Sequence, residues 1–383
     1  MALPAIVRHG AKALVRHPRL AMWYFDNRLR LAKLEREQQR PDGRAQFPRS
    51  VTIAPTFACN LRCKMCMYAT SGAVLADPGQ SLPPDAWKCV VDEVARFRPY
   101  ISLTGGEPTL YPHLNGLIRH IKRRGLFCTV TTNGTLLSRL LGVFEEAPPD
   151  VVVVSLDGPA AIHNEMRSQP RVFERAVEGI AALQATKRKL RRQKPLLVIN
   201  CSITAYNQDH LEQAVQVAES VGAEGLNYQH QWSVTRRMVA EHSGEYPGLH
   251  DVTYEALGGT DLPTVDPDAL AATVARIRRH ASRSDCRTYV NFYPDLSETE
   301  LRQWYSDPHN WVQRRTPACA WMNAYILPNG DLEACPGLVP GNVVTDSFAE
   351  VWNNPTFRSH RQRLARAEAF PICARCCFFC RTV

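Results

Sequence analysis

The chain has 383 residues, of which 45% are hydrophobic and 22% charged. That is enough apolar side chain for a sizeable core, which excludes disorder over most of the length, and no stretch approaches the roughly 20 apolar residues of a membrane span. The formal charge is +9, but residues 1–45 hold ten basic and four acidic residues, so the excess is local and does not describe a uniformly basic nucleic-acid binder.

The first twenty residues, MALPAIVRHGAKALVRHPRL, are broken by charges and lack the apolar centre of a signal peptide, so a cytoplasmic location is expected. In that compartment thirteen cysteines point to metal or redox chemistry rather than disulfides. Three sit at 59, 63 and 66, and six lie between 319 and 380. Of the four scattered ones, Cys89, Cys128 and Cys201 fall in helix or strand patterns and read as core thiols.

Residues 1–48 read as a basic amphipathic leader, with a helix from Pro18 to about Gln38 that Pro41, Asp42 and Gly43 end. Its Trp23, Tyr24 and Phe25 suit either packing on the main domain or peripheral contact with an anionic membrane. A strand–helix alternation follows. Strands are predicted at VTIAPTF (51–57), ISLTGG (101–106), FCTVTTNG (127–134), VVVVSLDG (151–158), LLVINCSIT (196–204) and GLNYQH (225–230). Helical patterns lie at 84–97, 171–192 and 208–221. Apolar strands separated by helices predict an α/β fold with a parallel sheet, and six units are fewer than the eight of a closed barrel. Ligands bind at the carboxyl ends of such strands.

Residues 232–266 are rich in glycine and proline and read as a long loop or lid. A helix near 267–282 and a short strand near 288–293 come next. Asn329-Gly330 then marks a hairpin, followed by a helical pattern at 347–366 and the cysteine-rich end PICARCCFFC. Four regions are expected: the leader 1–48, a core barrel 49–235, a lid and connecting helices 236–316, and a small cysteine-bracketed module 317–383. The basic run 187–194 reads as a solvated face at a helix end.

The sharpest motif is Cys59-x3-Cys63-x2-Cys66. Three thiolates on one loop can hold three corners of an iron–sulfur cube and leave one iron open, whereas structural zinc wants a fourth protein ligand nearby. This loop resembles the cluster loop of the radical S-adenosylmethionine (SAM) superfamily. Further matches follow in order: Thr104-Gly105-Gly106-Glu107-Pro108 resembles the GGE motif, Thr131-Thr132-Asn133-Gly134 the TNG segment, Ser155 with Arg167 the pair that holds the SAM carboxylate, and GAEGL (222–226) the segment that packs on adenine. The resemblance covers about residues 50–232. It implies a partial (β/α)6 radical SAM barrel with a [4Fe-4S] cluster on Cys59, Cys63 and Cys66. It also implies SAM contacts from Met65, Gly105, Gly106, Glu107, Asn133, Ser155, Arg167 and Leu226. Met65 stands where the family usually has an aromatic residue.

The C-terminal cysteines resemble the SPASM or shorter twitch extension, a β-hairpin plus helix holding auxiliary [4Fe-4S] clusters. One auxiliary cluster is the preferred expectation, on Cys319, Cys335, Cys373 and Cys376, with Cys377 and Cys380 as alternatives and a small zinc module as the competing reading. Tyr206, Tyr228, His230 and Trp232 lie at or after strands five and six, where they could touch substrate or serve packing.

The resemblance implies reductive cleavage of SAM to a 5′-deoxyadenosyl radical, hydrogen abstraction from an organic substrate, and a low-potential electron donor such as a ferredoxin or flavodoxin. An auxiliary cluster would make the net reaction oxidative, a dehydrogenase-like oxidoreductase. The 48-residue leader is short for a peptide-recognition domain, which favours a small-molecule, sugar or lipid-linked substrate over a peptide or protein substrate. An RNA-modifying enzyme and a non-catalytic iron–sulfur protein are the remaining readings; neither an RNA-binding module nor a nucleic-acid partner is expected.

Overall fold

A computed structural model describes residues 33–71, 81–249, 253–254, 257, 264–283, 285–309, 311–312 and 316–376. Six strands follow the expected order: β1 (Ser50–Ile53), β2 (Tyr100–Leu103), β3 (Phe127–Thr132), β4 (Val151–Ser155), β5 (Leu196–Ile203) and β6 (Gly225–His230). Each pairs in parallel with the next. Two more parallel strands extend them. β7 (Tyr289–Tyr293) pairs with β6, and β8 (Asn323–Ile326) pairs with β1. β8 then turns through Leu327–Gly330 into β9 (Asp331–Glu333), with β10 (Gly341–Asn342) antiparallel beyond it. Gly330 has φ +91°, which suits the expected hairpin turn. Among the described residues the result is one ten-stranded sheet, ordered β10-β9-β8-β1-β2-β3-β4-β5-β6-β7, so the C-terminal module grows directly from the edge of the barrel sheet.

Helices α1 (Pro84–Ala95), α2 (Leu114–Arg123), α3 (Leu141–Glu146), α4 (Ala160–Met166), α5 (Val172–Lys189) and α6 (Leu211–Ser220) cover one face. β4 and β5 alternate strictly in burial, and β6 does so after Gly225, because only that face is covered by helices: Val152, Val154, Leu197, Ile199, Cys201, Leu226 and Tyr228 are fully buried in the core. The intervening residues point into the barrel. On α1 the buried residues are Trp87, Val90, Val91 and Val94, which leaves Cys89 exposed rather than in the core. Cys128 and Cys201 are buried.

The region expected as a loop at 232–266 contains a helix, α7 (Arg236–Glu245), capped by the Thr235 side chain. α8 (Pro267–Ala281) and α9 (Glu298–Ser306) follow. The pattern at 347–366 is two helices, α10 (Phe348–Trp352) and α11 (Pro355–Ala367). Pro355 disfavours helix at Asn354, whose side chain instead caps Phe357 N–H. The basic run is only partly a solvated face. Lys187 is buried against Glu224 at 2.8 Å, and Arg192 donates to the Phe144 and Glu145 carbonyls. Of the leader helix, residues 33–38 are helical, while Trp23, Tyr24 and Phe25 lie outside the described residues, as do Cys377 and Cys380. Among the described residues no helix is long and apolar enough to cross a membrane.

Candidate active site

The cluster loop leaves β1 and is packed from behind by the turn after β2. Gly105 and Gly106 are required there. A Cβ on Gly105 would meet the Thr56 carbonyl at 2.5 Å, and one on Gly106 would meet the Ala58 and Phe57 carbonyls at 2.4 Å. Gly106 N–H donates to Thr56 O and Glu107 N–H to Ala58 O. The two glycines thus admit the cluster loop itself.

Glu107 is fully buried, and both its oxygens are engaged. One accepts from Thr109 N–H (3.1 Å), Thr109 Oγ1 (2.6 Å) and Thr132 Oγ1 (2.7 Å); the other accepts Asn133 N–H (2.7 Å). Burial raises this carboxyl above its ordinary range despite the four donors. Its carboxylate therefore joins the GGE turn to the TNG turn rather than facing a ligand. Asn133 is also turned inward: its amide donates to Asn60 at 2.9 Å and accepts from Thr135. Asn60 in turn donates to Thr135 Oγ1. These contacts turn the Glu107 and Asn133 side chains inward. Both hold the backbone that frames the loop.

Arg167 lies at the end of α4. Its Nε and Nη2 bind Asp157 Oδ2 at 2.8 and 2.7 Å, and Nη1 points at Cys63 Sγ from 3.6 Å. The guanidinium holds the fully buried Asp157 carboxyl down at about 2, against the cost of desolvation. Asp157 Oδ1 accepts Ser202 N–H, and Asn207, also fully buried, ties the Asp157 carbonyl to Ser202 O. Arg167 thus offers only Nη1 toward the cluster side. Lys64 N–H donates to Met166 O, so α4 supports the loop directly.

The inner face of the barrel is polar on its β4–β7 side. Ser155, Asn200, Asn227 and Asn291 stand in one register row, with Ser202, Gln229 and Tyr293 in the next. None of the inward positions of these four strands carries a charge. Leu226, Tyr228 and His230 alternate with this row and face the helices, where their side chains are buried in packing. Tyr228 stacks on Phe292 and donates to the Leu211 carbonyl. His230 bonds Tyr305 through Nδ1 at 2.8 Å, and burial lowers its pKa to about 3. Trp232 donates to Leu257 O and is a fastener of the segment after β6. Tyr206 remains at the strand ends, 4.8 Å beneath the Lys64 ammonium. Met65 packs with Leu61, Cys63 and Val172 beside the loop.

In the C-terminal module burial raises the Cys335 thiol and pushes Cys373 to about 12, and Cys319 is close enough to add to both shifts. Cys376 is buried one turn beyond Cys373. Glu333, half-buried on β9 across from Tyr325, is raised to about 7 by desolvation. The residues that sequence reasoning missed are Asn60, Thr132, Thr135, Asn207 and Glu333. Only the flanking of the TNG segment by hydroxyl residues signalled any of them.

Both cysteine groups fit iron–sulfur clusters better than a single ion. Among the described residues, just one trio of Cys, His or carboxylate ligand atoms lies within 4.8 Å of one another, and it contains none of these cysteines. The thiols are thus too widely spread for one zinc, while a four-iron cube spans a larger frame.

Residues 53–217 match the model of the radical SAM superfamily, and residues 319–377 match that of the SPASM iron–sulfur cluster-binding domain. The AdoMet-dependent heme synthase of Methanosarcina barkeri is 31% identical over 179 residues, 46% of this chain and 48% of that protein. The mycofactocin maturase MftC of Mycobacterium ulcerans is 29% identical over 328 residues, 82% of this chain and 77% of its own. The chain spans about half the length of the heme synthases it matches. Streptococcus suis SuiB bound to S-adenosylmethionine shares the fold with a TM-score of 0.62 at 16% identity, covering 87% of this chain and 71% of that one. One model takes in the barrel and the other the C-terminal cysteines, so the chain belongs to the radical SAM superfamily and carries a SPASM-type iron–sulfur domain, with [4Fe-4S] clusters and S-adenosylmethionine as its cofactors.

Proposed function

We propose that this enzyme oxidises a neutral, hydroxyl-bearing substrate, a sugar-like or lipid-linked small molecule, by radical chemistry. When bound, and with an electron from a ferredoxin or flavodoxin, the cluster and SAM would supply radical hydrogen-atom abstraction from the substrate. Cys59, Cys63 and Cys66 would hold the SAM cluster, and Cys319, Cys335, Cys373 and Cys376 the auxiliary one on which the oxidative outcome rests. Ser155 and the Nη1 edge of Arg167 would meet the SAM carboxylate.

The observation that carries the substrate reading is the inner amide row Asn200, Asn227 and Asn291. Amides offer donor and acceptor together, which suits hydroxyl groups, and the absence of charge on those inward positions disfavours a carboxylate-rich ligand such as a tetrapyrrole. A second reading, peptide modification, is favoured by the long match to the mycofactocin maturase and by the likeness to SuiB, one of whose structures holds a precursor peptide. Peptide groups would also meet the amide row.

The test is iron content after anaerobic reconstitution, with 5′-deoxyadenosine release under dithionite, for the wild type and a Cys59/Cys63/Cys66 triple Ala variant. About eight irons per chain, falling by about four with loss of 5′-deoxyadenosine, is expected. About four irons, all lost in the variant, would remove the auxiliary cluster from the reading. Zinc without SAM cleavage would overturn it.

A further inference from the structure

At the opposite end of the barrel from the cluster loop, three metal-ligating side chains converge from separate elements. Glu219 is in the last turn of α6, His280 is in the last turn of α8, and Cys286 lies in the segment entering β7. One ligand atom of each lies within 4.8 Å of the other two. His280 Nε2 and Glu219 Oε1 are 3.3 Å apart. That is about the edge of a tetrahedron whose nitrogen and oxygen ligands stand about 2.0–2.1 Å from zinc. Thiolate, imidazole and carboxylate together form a donor set that zinc accepts and calcium or magnesium does not.

The electrostatics favour a cation. α6 and α8 both end here, so the negative ends of two helix dipoles meet at the site. The neighbouring Arg283 is held by both oxygens of Asp285, at 3.0 and 2.8 Å, which offsets its charge. Glu219 and His280 are partly exposed, so an ion has a path in. The Cys286 thiol donates to the Thr288 carbonyl at 3.3 Å and would release its proton to solvent on ligating.

We infer that Glu219, His280 and Cys286 form a zinc site, with water as the fourth ligand. Its place gives it a purpose. Among the described residues β7 is the terminal strand of the sheet, paired with β6 alone, and it carries Asn291 of the inner row. A metal pinning α6, α8 and the entry of β7 would fix that edge.

The experiment uses the fully reconstituted enzyme, equilibrated with zinc and then desalted. Zinc per chain is read by mass spectrometry, and its ligands by zinc K-edge absorption. One zinc per chain with a single sulfur is expected, with occupancy falling at least tenfold in both Cys286→Ser and His280→Gln. Iron content and 5′-deoxyadenosine release should stay at the wild-type level. A wild type that retains no zinc would overturn the inference. So would zinc that persists in both variants, or zinc in a shell of several sulfurs, since the metal would then lie on the cluster cysteines.

Discussion

The two cysteine regions are held in place by different means. Around the cluster loop the fastening is hydrogen-bonded and directional: Glu107 joins two turns, Asn133 grips Asn60, and Asp157 locks Arg167. In the C-terminal module the fastening is by packing around buried arginines. Arg361 lies over Trp352 and Phe357 at 4.5 and 3.9 Å, and Arg375 lies over Trp304 at 4.6 Å while donating to the Trp304 and Asp307 carbonyls. Hydrogen bonds fix the direction of a backbone, as a site that must grip SAM requires. Aromatic packing fixes position and excludes water, which suits a cluster that need only be kept buried.

The contrast can be broken experimentally. Asp157→Ala leaves Arg167 buried without its carboxylate and should have the largest effect, about 3–5 kcal/mol in urea denaturation. SAM affinity should fall, while the iron bound by the C-terminal module stays. Loss of that iron as well would show that the two regions are not independent. Arg361→Ala tests the other side. It removes the donor to Ala320 O and Asn353 Oδ1 and opens a hole between two rings, at a cost of about 2–4 kcal/mol. Module iron should fall while SAM cleavage persists.

Glu107→Gln sharpens the comparison within the barrel. An amide NH2 must then face a former donor, costing about 1–3 kcal/mol, and SAM should bind more weakly with its cleavage chemistry unchanged. Isothermal titration alongside denaturation would read both. The effect on acid stability is absent at neutral pH and appears only on acidification. Burial keeps His230 neutral, with a pKa of about 3, and His242 with one of about 4, while the unfolded chain binds protons near 6.5. Stability is complete above about pH 6.5 and falls as pH drops toward 4, by at most about 1.4 kcal/mol per unit for each histidine. His230→Gln should flatten that slope in a pH series of denaturation midpoints.

Much of this organisation was legible in the sequence. The six strands, the cluster loop and the Asn329-Gly330 hairpin carry local signals. The facing of β6 was legible too. In GLNYQH the apolar Leu226 and Tyr228 share a phase that belongs under helices, which leaves Asn227 and Gln229 for the interior. Position at a strand end, taken alone, does not tell which set faces the interior. The Glu107 junction and the β8–β1 pairing had no local signal, because each joins residues that the chain brings together only by folding. Asp157 and Arg167 were in view singly, yet spacing could not reveal that each occupies the other.

The pairing of β8 with β1 also governs the order of events during synthesis. Thr52 cannot meet Tyr325 until about 270 further residues have left the ribosome, roughly 15–50 s at ordinary elongation rates. Through that interval one edge of the first strand stands open beside the loop that receives the SAM cluster, a template for unwanted strand pairing. Chaperone protection of the nascent chain, or early delivery of iron and sulfide to that loop, would therefore matter more for the yield of this enzyme than its final stability does.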